Sequence, residues 1–449
     1  MNVLFKIPKL NSRCGLLFGI IVLMVTISPA YTQPDTGEPA IWVDEKPDAF
    51  APLEGYFREA IENNPRIREQ FYSYRAQVAN AGQMGILPDP EVNLGYFINP
   101  PEGATFLGRF SFSAMQMFPW PGTLGEQRRE GEYMSEAEYH RMRSLAADIF
   151  RDVHLTWLDY SEQYLSRAII RQNIEQIDEL HSLIEIRYET ARASQADLLR
   201  IEMEKERFRT HLEEVDEERL PLQARLNALL NRDLNQEISG AHEMIRRSWT
   251  VDDNELLEAL KINHPDRDLL NASRQRFRSS VERARLEGRP QIGLGIEVMG
   301  RDFSVMSMFP DMNEGVAAMA TIRLPIYQQR YREQRREAEY NIQRIEQSNQ
   351  QLDNRLLADA ERYLKDKRDA ERRLTLIQDE LIPRANQAYE ILREEYAVGG
   401  VGFEELIQIQ RELLDLELEE LQTLTEYNRA LAQLEWLLSS ELSNQPIEF

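Results

Sequence analysis

Near position 91 the spacing of hydrophobic residues changes. In EVNLGYFI (91–98), Val92, Leu94, Tyr96 and Ile98 alternate with Asn93, Gly95 and Phe97, and in RFSFSAMQMF (109–118) Phe110, Phe112 and Ala114 alternate with Ser111 and Ser113. Alternation by two predicts strands, and the stretch between them, with Pro100, Pro101 and Gly103, predicts the loop of a hairpin. Before the hairpin, two polar stretches with scattered apolar positions meet at Pro65 and end at Pro88 and Pro90, which predicts two short helices. After it, 123–191 contains no proline, and its glycines, Gly125 and Gly131, lie near its start. Such a helix would run roughly 100 Å at 1.5 Å per residue. Ile170, Ile174, Ile177, His181, Ile184 and Tyr188 recur in it at spacings of four and three, which predicts a coiled-coil seam with His181 as a core residue.

The same order of elements occurs twice. AIENNPRI (60–67) lies over ALKINHPD (259–266) with Pro65 above Pro265, and PEVNLGY from Pro90 falls on PQIGLGI from Pro290, both 200 or so positions on. EQRREGEY (126–133) and EQRREAEY (333–340) match at an offset of 207, and from Arg187 onward the register with Glu395 is 208. One long unit is therefore duplicated, and the length difference falls within one hairpin. The predicted layout is a signal segment (1–30), an extended segment (31–48), a first unit (49–231), a joining segment (232–253), a second unit (254–440) and a tail (441–449). The units place hairpins at 91–118 and 291–324, long helices at 123–191 and 328–398, and shorter helices at 195–231 and 403–440. Pro383 is expected to kink the second long helix, whose seam includes Leu374, Ile377 and Leu381. Both EQRRE copies read as solvated helix faces with neighbouring ion pairs.

Residues 1–30 read as a secretory signal: Lys6, Lys9 and Arg13 precede an apolar run from 15 to 27, and Ser28 and Ala30 supply a small-residue cleavage site. Cleavage would remove three cations and no acids, taking the net charge from −23 to −26. It would also remove Cys14, the single cysteine; lying before the apolar run, Cys14 cannot become a lipid-modified N-terminus. This acidity speaks against a DNA or anionic-lipid partner and leaves cationic solutes open. Charges interrupt every later apolar stretch, so no spanning helix is expected; spanning strands remain open.

The predicted strands suit a tilted membrane strand of about 9–11 residues. Phe118 and Trp120 leave the first hairpin and Tyr327 the second, each close to a proline, where interfacial aromatics would sit. The other reading is a soluble four-stranded sheet with core Phe and Leu. Four strands cannot close a barrel, and an open edge cannot sit in lipid, so a membrane reading requires several chains to share one barrel.

Two units of this order, NNP and NHP near their starts, QMFPWPG at the first hairpin exit, RYETARASQADLL and EYAVGGVGFEEL at the two helix tips and RLNALL (225–230) together resemble the TolC family of outer-membrane efflux channels, especially the CusC or CzcC type. The resemblance covers nearly the whole chain after 30. It implies a mainly α protein with membrane β: long coiled-coil helices plus two hairpins per chain, completing a twelve-stranded barrel and an α-helical tunnel as a homotrimer in the Gram-negative outer membrane. The implied function is a passive exit duct for small molecules or metal ions. The implied partners are outer-membrane lipid, a periplasmic adaptor and an inner-membrane pump, with no nucleic acid and no cofactor.

The resemblance also assigns residues. Family members narrow the tunnel with acidic side chains after the second tip, positions that fall here on Glu405 and Gln408, with Asp197 as the duplicate of Glu405. A ring of Glu405 would favour cations; the alternative is a helix-start charge favoured by the macrodipole. Tyr396, with Tyr188 as its duplicate, matches a gate tyrosine, but the arginine of that polar lock is Val401 here. Ala191, Ala193, Ser194, Gly399, Gly400 and Gly402 would allow close approach of an adaptor hairpin, or simply make the turns. Met299, Met306, Met308 and Met312 cluster at the second hairpin loop, where thioethers would suit Cu(I) or act as ordinary apolar filler.

No nucleophile, cofactor loop or His-Glu-x-x-His is visible, and GGVG follows no strand, so an enzyme is not expected. A type I secretion conduit and a pore-less periplasmic scaffold are the rival readings.

Overall fold

The computed structural model describes residues 50–96, 98, 110–260, 264–300 and 315–438, all within one compact unit, Trp42–Phe449. The expected signal and extended segments, the tail, Met306, Met308 and Met312 lie outside the described residues. The chain is mainly helical. Its first half runs α1 (Ala51–Asn63), α2 (Pro65–Gln83), β1 (Glu91–Tyr96), β2 (Phe110–Phe118), α3 (Thr123–Glu189) and α4 (Gln195–Leu230). The second repeats that order: α5 (Asp253–Leu260), α6 (Pro265–Glu287), β3 (Gln291–Gly300), β4 (Gly315–Arg323), α7 (Gln328–Leu376), α8 (Ile382–Val398) and α9 (Phe403–Leu438).

The duplicated letters have duplicated jobs. Asn64 caps α2, its Oδ1 accepting from the Arg66 amide at 2.9 Å, and His264 caps α6, its Nδ1 accepting from the Asp266 amide at 3.2 Å; a proline follows each cap. Burial pushes the His264 pKa down, which keeps the ring neutral and able to accept. In the two octapeptides Arg129 pairs with Glu126 at 2.7 Å and Arg128 with Glu132 at 3.0 Å, and Arg336 pairs with Glu333 at 3.0 Å and Arg335 with Glu339 at 3.5 Å. The second copy is the solvated face expected of it; in the first only Arg128 and Arg129 are exposed, while Glu130 and Gly131 are buried and Glu130 accepts from Arg283 at 2.8 Å.

α3 is a single helix of 67 residues, about 100 Å long. Its counterpart passes from α7 to α8 through a π-helical turn, Ile377–Leu381, directly before Pro383. The ring of Pro383 removes one amide donor and crowds the preceding turn, and the widened turn absorbs both effects. This irregular turn falls at the proline to which the sequence assigns a kink.

Two cores hold the bundle. The larger joins α1, the middle of α3 and the end of α4 to α5, α7 and α9, around Phe50, Trp157, Phe150 and Leu431. Trp157 is fully buried, stacks 5.4 Å from Phe50 and donates its indole N–H to the Ser239 carbonyl at 2.9 Å, which fixes the joining segment to α3. A buried Arg247–Glu435 ion pair and the Tyr427 hydroxyl, donating to the Arg247 carbonyl at 2.9 Å, tie the same segment to α9. The smaller core lies toward the helix tips and joins α3, α4, α8 and α9 around Ile177, Ile184, Phe208 and Leu406.

The seam on α3 differs from its expected phase. Ile170, Asn173, Ile177, Leu180 and Ile184 are buried, a strict three-four alternation. His181 is not a core residue: its side chain is 30% exposed and its Nε2 stands 3.9 Å from Glu202. Tyr188 is exposed as well. Asn173 takes the place of an apolar residue because α9 supplies its hydrogen bonds. Gln410 donates to Asn173 at 2.9 Å and to Gln176 at 2.7 Å, and Asn173 donates to Glu417 at 2.9 Å. A buried polar layer of this kind fixes the axial register of two helices.

Candidate functional site

The four strands form one antiparallel sheet in the order β1-β2-β3-β4. Register places Leu94 opposite Phe112, Phe112 opposite Val298 and Val298 opposite Val316; the next row joins Ala114, Ile296 and Ala318. One face therefore carries Val92, Leu94, Tyr96, Phe112, Ile292, Leu294, Ile296, Val316 and Ile322 with a single polar side chain, Gln116. The opposite face carries Asn93, Ser111, Ser113, Glu297, Thr321 and Arg323 together with glycine and methionine. A half-buried soluble sheet would turn the first of these faces onto helices. Instead it is bare: Leu94 is 68% exposed, Leu294 55% and Ile322 63%, and among the described residues no helix packs over the sheet.

A β-carbon on Gly293 would lie 2.5 Å from the Met117 sulfur, so on the polar face this glycine leaves room for the methionine side chain. The outer strands β1 and β4 each have one paired edge and one open edge among the described residues. Phe118 and Trp120 are exposed at the base of the first hairpin, and Tyr327 is 79% exposed at the base of the second. Met299 is at the far end of β3.

At the other end of the long helices the two turns share one geometry. The Arg192 amide donates to the Arg187 carbonyl at 2.7 Å and the Gly400 amide to the Glu395 carbonyl at 2.8 Å, while Ala191 and Gly399 donate to Tyr188 and Tyr396. Ala191 (φ 57°) and Gly399 (φ 87°) are both left-handed, as this helix stop demands. Ala191 accepts the strain that glycine avoids at the duplicate position. Ala193 packs against the tip core, and Gly400 and Gly402 are exposed.

The residues with expected pore roles separate. Glu405 and Gln408 are exposed on the first turns of α9, and Glu405 has no ion-pair partner among the described residues. Its neighbour Glu404 pairs with Arg200 at 3.2 Å. Asp197 is engaged as the third residue of a capping box, accepting from the Ser194 amide at 2.9 Å and hydroxyl at 2.8 Å while Ser194 accepts from the Asp197 amide. Tyr188 is exposed and stands apart from Tyr396, which is buried against Phe403.

Tyr396 has a cation after all. Arg187, from the end of α3, holds its guanidinium carbon 4.3 Å from the centre of the Tyr396 ring. Burial pushes the Tyr396 phenol up, against the opposing pull of Arg187, and its hydroxyl meets no acceptor among the described residues. Sequence reading sought this cation at position 401. The duplicate register, which places Arg187 one residue before the counterpart of Tyr396, was the signal that could have found it.

Among the described residues no group of three or more His, Cys, Asp or Glu side chains is arranged to hold a metal, and no helix is long and apolar enough to cross a membrane.

No protein-family model and no curated protein sequence matches the chain. Solved structures do. CusC, a protein described through its folding and transmembrane channel formation, superposes with a TM-score of 0.72 at 17% identity, over 92% of this chain and 99% of that one. A membrane protein from Pseudomonas aeruginosa gives 0.71 at 17% identity, over 91% and 99%. The outer-membrane channel OprN gives 0.69 at 17% identity, over 92% and 99%. Over about nine-tenths of its length the chain thus has the fold of the TolC-family outer-membrane channels.

Proposed function

We propose that this chain is an outer-membrane efflux channel subunit. Three copies join through the open edges of β1 and β4 into a twelve-stranded barrel, and the helices continue as a periplasmic conduit ending at the turns near Ala191 and Gly399. The observation that carries this reading is the sheet: one face wholly apolar but for Gln116, the other a mixture of polar side chains, glycine, alanine and methionine, and no helix packed over either among the described residues. Water gives such a sheet no stable place, whereas lipid on one side and an aqueous lumen on the other satisfy both faces. Lipid also forbids unpaired backbone edges, so each chain must find neighbours.

The conduit is passive and selects little. Small molecules or metal ions reach it from the periplasm, delivered by an inner-membrane pump through an adaptor that meets the tips. Ala191, Ala193, Ser194, Gly399, Gly400 and Gly402 keep those tips free of bulky side chains. Glu405, exposed and unpaired, supplies the ring of negative charge at the narrow end, and Arg187 with Tyr396 holds the tip shut. Asp197, committed to its capping box, adds little to that ring. The purified protein added to a planar lipid bilayer should give discrete ion-conducting steps; a bilayer that stays silent after verified insertion contradicts a channel.

A further inference from the structure

The net charge of the chain, −23, conceals a local reversal. At the base of the second hairpin, three arginines have exposed side chains: Arg289 just after α6, and Arg330 and Arg332 in the first turns of α7. None has an ion-pair or hydrogen-bond partner for its guanidinium among the described residues. Most neighbouring arginines are matched: Arg283 with Glu130 and Glu287, Arg285 with Glu282, Arg335 with Glu339 and Arg336 with Glu333; Arg323, on the polar face at the foot of β4, is exposed and also lacks a partner among the described residues. Gln328 donates to the Gly288 carbonyl at 3.1 Å and so joins the end of α6 to the start of α7, which puts the three arginines at one hairpin base; Arg330 and Arg332, two residues apart on α7, leave different sides of the helix. The first turn of α7 carries no acidic residue.

Beside these cations stand Leu324, Ile326 and Tyr327, all exposed, and they continue the bare apolar face from Ile322. Fixed positive charge bordering uncovered hydrocarbon matches one chemistry, an anionic phosphodiester headgroup attached to acyl chains. The first hairpin lacks the cations: the positions equivalent to Arg289, Arg330 and Arg332 are Asp89, Thr123 and Gly125. We propose that Arg289, Arg330 and Arg332 form a basic collar that attracts the phosphates of anionic phospholipids in the membrane leaflet nearest the helices, at one hairpin base per chain. The inference rests on the channel reading above. It refines the expectation from net charge: the surface as a whole repels anionic lipid, and this one collar attracts it.

The test uses the full-length protein reconstituted in phosphatidylcholine vesicles and titrated with dansyl-labelled phosphatidylglycerol, with association read by energy transfer from tryptophan. Wild type should prefer phosphatidylglycerol to dansyl-labelled phosphatidylcholine. Each arginine replaced by glutamine should weaken that preference roughly fivefold, while Arg330→Lys and Arg332→Lys retain most of it. Equal association with both lipids, or an unchanged preference in the triple glutamine variant, overturns the headgroup site and leaves the channel reading intact. Competition by free inorganic phosphate at equal concentration also overturns it, by assigning the arginines to a soluble anion. Failure to insert into vesicles of either composition counts instead against the channel itself.

Discussion

The guanidinium of Arg187 lies 4.3 Å over the ring of Tyr396, and this contact joins the last turn of α3 to the last turn of α8. Each residue sits three or four positions before a left-handed helix stop, so the contact clamps two equivalent turns, one from each half of the duplication. A cation over a buried aromatic ring contributes about 0.5–2 kcal/mol. Arg187→Ala should therefore speed hydrogen exchange at the Gly399 and Gly400 amides by roughly 2- to 30-fold while leaving the amides of the middle of α3 unchanged. Exchange at the wild-type rate would remove the clamp from the account.

The two faces of the sheet should respond oppositely to charge. Leu294→Lys places an ammonium on the bare apolar face and should oppose membrane assembly by about 2–4 kcal/mol if the site is near mid-bilayer. Thr321→Lys, on the polar face, should assemble normally and change only ion selectivity. Yield of membrane-extracted assembly for the two variants reads this directly, and equal behaviour would mean the faces are not lipid and lumen.

Glu405 is the unpaired acid at the start of α9, whereas Glu404 beside it pairs with Arg200. Glu405→Ala should move the reversal potential in a salt gradient toward lower cation selectivity, and Glu404→Ala should move it less. An unchanged reversal potential in Glu405→Ala would reduce this residue to a helix-start charge.

Glu162 on α3 gives a pH dependence. Burial is the largest influence on it and, despite Arg429 and a hydrogen bond from Thr425, pushes its pKa from an ordinary 4.5 to about 7; Asp159 and Glu426 add to the rise. The folded state thus binds a proton that the unfolded chain has released, and stability from this group is full below about pH 4.5 and lost as pH rises toward 7. Glu162→Gln should raise the melting temperature at pH 8 and leave it nearly unchanged at pH 4. A gain of equal size at both pH values would show that packing, not ionisation, sets the effect.

The duplication, the hairpins, the helix lengths and the Pro383 kink were all legible in the sequence, because period, proline and self-similarity are local signals. What escaped was decided between distant segments. Asn173 reads as a surface residue until Gln410 and Glu417, more than 230 positions away, are seen to satisfy it, and apolar letters alone then draw the seam through His181. Arg187 reads as one charge among many until the fold lays it on Tyr396. Asp197 is a local exception: it is the duplicate of Glu405, and Ser194 three residues earlier makes it part of a capping box.

Everything proposed for this chain depends on its four strands being a fraction of a ring. The mass of the detergent-extracted full-length protein, measured by light scattering with the detergent contribution subtracted, tests that most directly. Three chains per particle is the predicted result; a stable particle of one chain, its sheet edges open, would contradict it.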